Sequence, residues 1–203
     1  MGVSLQSREA LVRRGIRLSY ATIGYNVLEA IGSLVAGFLA GSVALVGFGI
    51  DSVIEVTASI AAQWRLRSDW DPERRDRVEV LTTRFVGWCF LALALYVLFD
   101  AATTLVKREP PEGSAFGVFV LLLSVIVMPV LASRKKRVAR ELRSGALEAE
   151  ATQTSLCAYL SVIGLAGVAL NAAYAWWWAD PVAALIMVPI IAAEGIEGVR
   201  GAK

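Results

Sequence analysis

Apolar residues in this chain occur in long runs that are separated by short polar segments. Six of these runs are about 20 residues long, which is the length that an α-helix needs to cross the hydrocarbon core of a bilayer. The runs cover residues 18–39, 42–64, 85–106, 115–132, 151–171 and 177–193. The pattern therefore predicts an all-α membrane protein with six transmembrane helices.

The residues between the predicted spans agree with this division. Gly37 and Gly41 predict a tight turn between the first two spans, and Pro110 with Gly113 predicts a turn between the third and the fourth. Asp180 stands before a proline at the start of the sixth span, and we expect it to be the N-cap of that span at the protein surface. We predict a single six-helix transmembrane domain over residues 1–203, with no soluble domain and no cleavable signal peptide.

Basic residues lie almost entirely on one side of the predicted membrane. Of the 20 Lys and Arg residues, 17 occupy the two termini and the connections after the second and fourth spans, whereas the opposite side holds Lys107 and Arg108. Because Lys and Arg concentrate in cytoplasmic loops, both termini are predicted to be cytoplasmic. The basic run 134–137 flanks a span and fits an orientation signal or a contact with anionic lipid better than a nucleic-acid site.

The composition narrows the possible chemistry. Apolar residues make up 57% of the chain and charged residues 19%, which favours a membrane protein. We expect a multi-pass protein of the plasma (inner) membrane. The absence of histidine excludes Ser–His and Cys–His catalysis and His-ligated haem. Catalytic sequence motifs are also missing, so we expect no enzyme. An aspartyl intramembrane protease built on Asp51 and Asp100 is the remaining enzymatic alternative.

Two acidic residues interrupt the second span. Asp51 and Glu55 lie near its middle at positions i and i+4, so both side chains project from one face of a helix. Ionisable side chains are costly in hydrocarbon, and two neighbouring carboxylates repel each other unless a cation or a proton lies between them. A divalent cation is the natural occupant. The alternative is a protonated pair that forms hydrogen bonds with neighbouring helices.

A second stripe of candidate ligands begins the fifth span. Glu150, Gln153 and Cys157 fall at i, i+3 and i+7, which again places them on one side of a helix. Taken singly, Cys157 is better explained as a small buried residue and Gln153 as an interhelical hydrogen-bond partner. Asn26 and Glu29 in the first span lie one turn apart. We expect them to contact the metal ligands without binding the metal themselves, or to pack between helices.

With both stripes in view, the sequence resembles the cation diffusion facilitator family of divalent-metal exporters. That family carries a His or Asp followed four residues later by Asp, and Asp51 and Glu55 occupy these positions in the second span. A second such pair falls on Gln153 and Cys157. Further agreement lies at Asn26 and in the segments 41–45, 149–151 and 179–184. The family's cytoplasmic metal-sensing domain has no counterpart here, which indicates a divergent branch lacking the C-terminal cytoplasmic domain.

The resemblance implies a six-helix bundle that works as a homodimer. The first, second, fourth and fifth spans would surround the metal, and the third and sixth would help to form the dimer contact. It also implies transport by alternating access, in which protons compete with the divalent cation for the same ligands. No prosthetic group is expected, because the metal is the transported substrate. A membrane scaffold that transports nothing is the alternative function.

The donor atoms in the two stripes favour particular metals. A Cys157 thiolate and the amide oxygen of Gln153 make a softer and less charged site than carboxylates alone. Zinc and cadmium accept mixed sulfur and oxygen ligands, whereas manganese and magnesium prefer shells of oxygen. We therefore expect zinc or cadmium efflux. If Cys157 only packs in the core, Glu150 completes the site in its place.

Overall fold

The computed structural model of the protein describes residues 5–67, 72–142 and 145–200, and these residues form helices without any strand. The six helices are α1 (Leu5–Ala40), α2 (Val43–Arg67), α3 (Pro72–Lys107), α4 (Ala115–Leu142), α5 (Gly145–Tyr174) and α6 (Ala179–Arg200). Each contains a stretch that is long and apolar enough to cross a membrane. The predicted all-α fold with six spans is confirmed. The predicted orientation of the termini stays a prediction.

Several helices extend beyond the apolar runs that predicted them. Helix α1 begins at Leu5, well before the predicted start at residue 18, and α4 continues to Leu142 although its apolar run ends at residue 132. Both extensions are rich in basic residues, which are Arg in α1 and both Arg and Lys in α4. These residues favour helix nearly as strongly as alanine does, so the helix continues after the hydrophobic segment has ended.

Helix α2 is the centre of the bundle. Its apolar window is 67% buried, against 28–44% for the other five helices. It contacts α1, α3, α5 and α6. The outer helices turn large apolar side chains outward, among them Leu28, Phe38 and Phe99, each more than 70% exposed. In a membrane these faces meet lipid, so α2 is the helix on which a polar side chain is furthest from both lipid and water.

A buried aspartate fastens the start of α2 to the start of α6. Gly41 adopts a positive φ of 64° in the α1–α2 turn, and Ser42 then caps α2 by accepting a hydrogen bond from the amide of Leu45 at 3.1 Å. Asp180 accepts hydrogen bonds from the Ser42 hydroxyl at 2.6 Å and from the Val43 amide at 3.0 Å. The expectation that Asp180 caps its own helix at the surface is wrong, because this side chain is 1% exposed and caps α2.

Helices α3 and α6 pack closely along their length. A Cβ atom on Gly87 of α3 would lie 2.6 Å from the amide nitrogen of Val199 and 2.8 Å from the carbonyl oxygen of Gly195, both on α6. Only glycine permits backbones to approach this closely. The participation of α3 and α6 in a dimer contact stays a prediction.

Candidate metal-transport site

The two acidic residues of α2 lie inside the bundle, as the sequence predicts. Asp51 is 5% exposed and Glu55 is 2% exposed. They belong to the most buried helix and lie one turn apart on it. One oxygen of Glu55, Oε1, accepts a hydrogen bond from the hydroxyl of Thr154 on α5 at 2.8 Å. The other, Oε2, is buried and has no hydrogen-bond partner among the described residues.

A small cavity between α2, α3, α5 and α6 opens onto these carboxylates. Its polar lining consists of Asp51, Glu55, Gln153 and Glu194. The rest of the lining is apolar: Phe90, Leu156, Leu160, Ile190 and Ile191. The structure thus brings Gln153 of the second predicted stripe to the same cavity as the predicted pair on α2. It adds Glu194, a carboxylate of α6 that the sequence analysis did not select.

Glu29 of α1 is buried against α2 and α5, and its predicted supporting role stays a prediction. It is 3% exposed, and its Oε2 accepts a hydrogen bond from the hydroxyl of Ser52 on α2 at 2.8 Å. The thiol of Cys157 on α5 lies 3.7 Å from the same oxygen. Asn26, one turn before Glu29, is fully buried. Three helices therefore bring a carboxylate, a hydroxyl and a thiol together beside the pair on α2.

Glu150 has a different environment from the other candidate ligands. Its Oε1 accepts a hydrogen bond from the ammonium group of Lys135 on α4 at 2.9 Å, which forms a buried ion pair. Its Oε2 accepts a hydrogen bond from the hydroxyl of Ser19 on α1 at 2.8 Å. Both carboxylate oxygens are thus engaged within the protein, which distinguishes Glu150 from Glu55.

Several buried polar atoms in this region lack partners among the described residues. They include both side-chain atoms of Asn26, one oxygen of Glu29 and one oxygen of Glu55. Such atoms are rare in folded proteins and usually indicate a water, an ion or a ligand. No three His, Cys, Asp or Glu side chains in the described ranges are close enough to hold a metal ion as they stand. Binding an ion with several of these groups would therefore require α1, α2 and α5 to bring them closer together.

The sequence matches a known protein family. The profile of the cation efflux transmembrane domain matches residues 19–201, which is nearly the whole chain. The chain belongs to this cation efflux family. It is accordingly a multi-pass integral membrane protein, and the family resemblance drawn from the sequence is confirmed.

Relatives in the cation efflux family differ in the metals that their names record. The chain is 25% identical over 169 residues to the manganese efflux system protein MneS of Bacillus subtilis, covering 80% of this chain and 58% of that protein. It is also 25% identical over 202 residues to the cadmium, cobalt and zinc/H(+)-K(+) antiporter of the same organism, covering 92% of this chain and 61% of the relative. Transmembrane protein 163 of Xenopus laevis is 26% identical over 135 residues, which is 66% of this chain and 48% of that protein. The chain spans about three fifths of the length of the two bacterial relatives.

Two charged residues near these carboxylates were not selected from the sequence. Lys135 lies within a basic run that the sequence analysis interpreted as an orientation signal, but it is 0% exposed. The available signal was helical spacing, because Met128, Ala132 and Lys135 continue one buried stripe of α4. Glu194 lies one residue beyond the predicted end of the sixth span. A predicted span that ended one residue later would have included Glu194, which follows Ile190 by one helical turn.

The ligand predictions for Asp51, Glu55, Gln153, Cys157 and Glu150 stay predictions. The structure places the first three on one cavity, Cys157 against Glu29, and Glu150 against Lys135. The sequence alternative of a protease dyad gains nothing from the geometry. Asp100, the second aspartate of that dyad, is partly exposed, accepts a hydrogen bond from Tyr96 of its own helix at 3.2 Å, and does not line this cavity.

Proposed function

We propose that the protein is a divalent-metal efflux transporter of the plasma membrane that exchanges the metal for protons, and that it is not an enzyme. The observation that carries this proposal is the pair of carboxylates on α2. Asp51 and Glu55 are buried on the most central helix, face a cavity, and leave one oxygen of Glu55 without a partner among the described residues. In a membrane such groups are functional by default, because holding them for packing alone is too costly.

The charges around the site support an exchange of metal for protons. Among the described residues, four buried carboxyl groups lie in this part of the core, those of Glu29, Asp51, Glu55 and Glu150, together with one buried ammonium group, that of Lys135. Ionised together, they would leave three uncompensated negative charges in a medium that stabilises charge poorly. A divalent cation or protons can compensate these charges, and both require the same oxygens. Competition for these oxygens couples the movement of the cation to that of protons.

The donor atoms support zinc or cadmium as the transported ion. The thiol of Cys157 lies beside Glu29, and the amide of Gln153 lines the cavity with Asp51 and Glu55, so α5 adds two donors to the carboxylates. Zinc and cadmium accept sulfur beside oxygen, whereas manganese prefers a shell of oxygen alone. One relative is named for manganese and another for cadmium, cobalt and zinc, so manganese belongs in the same test. The family resemblance further supports a homodimer, which cross-linking in native membrane would detect.

Transport into proteoliposomes tests the proposal. The purified protein is reconstituted with a metal-sensitive dye inside the vesicles, a pH gradient is imposed, and zinc, cadmium, manganese, cobalt and iron are added in turn. We expect uptake that depends on the gradient and is fastest for zinc or cadmium. Uptake that ignores the gradient would contradict proton exchange, and fastest uptake of manganese would contradict the choice of metal.

Matched carboxylate-to-amide variants localise the activity. Asp51→Asn removes a charge from the proposed site and is expected to abolish uptake. Asp100→Asn makes the same chemical change at a partly exposed position of α3 and is expected to transport like the wild type. Wild-type transport by Asp51→Asn would refute the site. Failure of the wild type to move any of the five metals would favour a scaffold.

A further inference from the structure

Lys135 belongs to the interior of the bundle although it lies in a basic run. Its neighbours Arg134 and Arg137 are exposed, whereas Lys135 is fully buried on the face of α4 that also buries Met128 and Ala132. A buried ammonium group is found almost only where it has a partner. Lys135 therefore has a role that an orientation signal or a lipid contact does not explain.

The ammonium group of Lys135 lies between two residues of α5. It donates hydrogen bonds to Oε1 of Glu150 at 2.9 Å and to the hydroxyl oxygen of Thr154 at 3.2 Å. The remaining oxygen of Glu150 accepts a hydrogen bond from Ser19. A metal ion that recruited Glu150 would have to displace one of these donors. Lys135 thus keeps this carboxylate apart from the carboxylates of α2.

Thr154 connects the same ammonium group to Glu55. The threonine oxygen accepts from Lys135, and its single proton points to one of two acceptors, Oε1 of Glu55 at 2.8 Å or the backbone carbonyl of Glu150 at 3.0 Å. The contact holds one oxygen of Glu55 and leaves the other free to meet an ion.

We propose that Lys135 withdraws Glu150 from the ligand set and so determines which divalent cations the site on α2 accepts. This inference rests on the proposed function. While Lys135 neutralises Glu150, the donors that remain near the pair on α2 include the thiol of Cys157 and the amide of Gln153. Without Lys135, a further carboxylate becomes available, and the donor set moves towards the all-oxygen shell that manganese prefers. Lys135 is a positioning residue, since it acts on the ion through Glu150 and Glu55.

Equilibrium binding of manganese and cadmium to the purified chain in detergent, measured by calorimetry, tests the proposal. Lys135→Gln releases the carboxylate of Glu150, so we expect the Kd for manganese to fall about tenfold. The ratio between the Kd values for manganese and cadmium should fall as a result. Glu150→Gln removes the carboxylate that pairs with the ammonium group of Lys135. That ammonium group then pairs with the carboxylate of Glu55 and competes with the metal ion for it. We expect the Kd of both metals to rise about tenfold in this variant. The double variant should bind both metals as the wild type does.

The opposite signs of the two single variants separate this proposal from a purely structural ion pair. If the pair served only to stabilise the fold, both single variants would weaken binding and the double variant would restore it. That result would overturn the proposal. So would an unchanged Kd in a Lys135→Gln protein that elutes as a single folded species from a sizing column.

The test does not depend on the stability of one variant. If Lys135→Gln fails to fold, Lys135→Met takes its place, because an apolar side chain of similar length leaves no unpaired donor in the core. The same fall in the Kd for manganese is expected in that variant, and an unchanged or higher Kd refutes the proposal. If the wild type binds neither metal, the proposed function fails together with this inference. If the wild type binds and Asp51→Asn does not, the function stands and the Lys135 variants are judged independently.

Discussion

Replacing Asp180 by alanine would release the start of α2 from the start of α6. The carboxylate of Asp180 is 1% exposed and accepts two hydrogen bonds, from the Ser42 hydroxyl at 2.6 Å and the Val43 amide at 3.0 Å. Ser42 and Val43 are each 3% exposed, so water does not replace the lost acceptor. The variant therefore leaves two buried donors without their partner.

The expected loss follows from these two contacts. A hydrogen bond to a charged group contributes about 1.5–3 kcal/mol, so two contribute about 3–6 kcal/mol. The Ser42 hydroxyl can rotate towards another acceptor, which favours the lower end, about 3 kcal/mol. For a protein of this size, that loss lowers the unfolding midpoint by about 6–12 °C. Asp180→Asn keeps one acceptor oxygen and should lose about half as much free energy of unfolding.

Thermal unfolding in detergent, followed by tryptophan fluorescence, measures these differences. Asp100→Ala is the matched control, because its carboxylate is partly exposed and accepts a longer hydrogen bond from Tyr96 at 3.2 Å. We expect this control to unfold within about 2 °C of the wild type. If Asp180→Ala and Asp100→Ala unfold at the same temperature, the hydrogen bonds between α2 and α6 contribute nothing to the stability of the fold.

Three further variants test the surroundings of the site. Glu29→Gln keeps an acceptor for Ser52 but removes a charge, so the Kd for the transported metal should rise about tenfold in calorimetry; an unchanged Kd would place Glu29 outside the site. Cys157→Ser should weaken cadmium binding more than zinc binding if sulfur is a ligand, and equal effects would make Cys157 a core residue. Glu194→Gln should raise the KM for transport into proteoliposomes more than it lowers kcat, because Glu194 lines the cavity from α6, a helix with no predicted ligand. A variant that lowers kcat and leaves KM unchanged would contradict this.

The fold and part of the site were predictable because both depend on local properties of the sequence. Six apolar runs of membrane-spanning length leave little choice but six helices. Asp51 and Glu55 are conspicuous because any ionisable residue inside such a run is unusual. Their spacing of four then fixes a common face without knowledge of the other helices.

The remaining parts of the site depend on helix packing and escape such reasoning. The sequence does not distinguish the four basic residues of the run 134–137 from one another. Lys135 differs because the helical periodicity of α4 places its side chain against α5. Asp180 was expected to cap its own helix because proline follows it, yet its partners lie on α2, more than 130 residues earlier. Glu150 and Glu55 are both acidic and both buried, and only the position of Lys135 gives them different environments.

The positions of Asp180 and Glu194 on one helix suggest the order in which an entering ion would meet the carboxylates. Helices α2 and α6 start side by side, where Asp180 joins them. At a rise of 1.5 Å per residue, Asp51 lies about 12 Å and Glu55 about 18 Å along α2 from this junction, and Glu194 lies about 21 Å along α6. The cavity lined by these three acids therefore has Glu194 furthest from the junction. If the proposed transport is correct, an ion that enters from the end opposite this junction meets Glu194 first, then Glu55 and then Asp51.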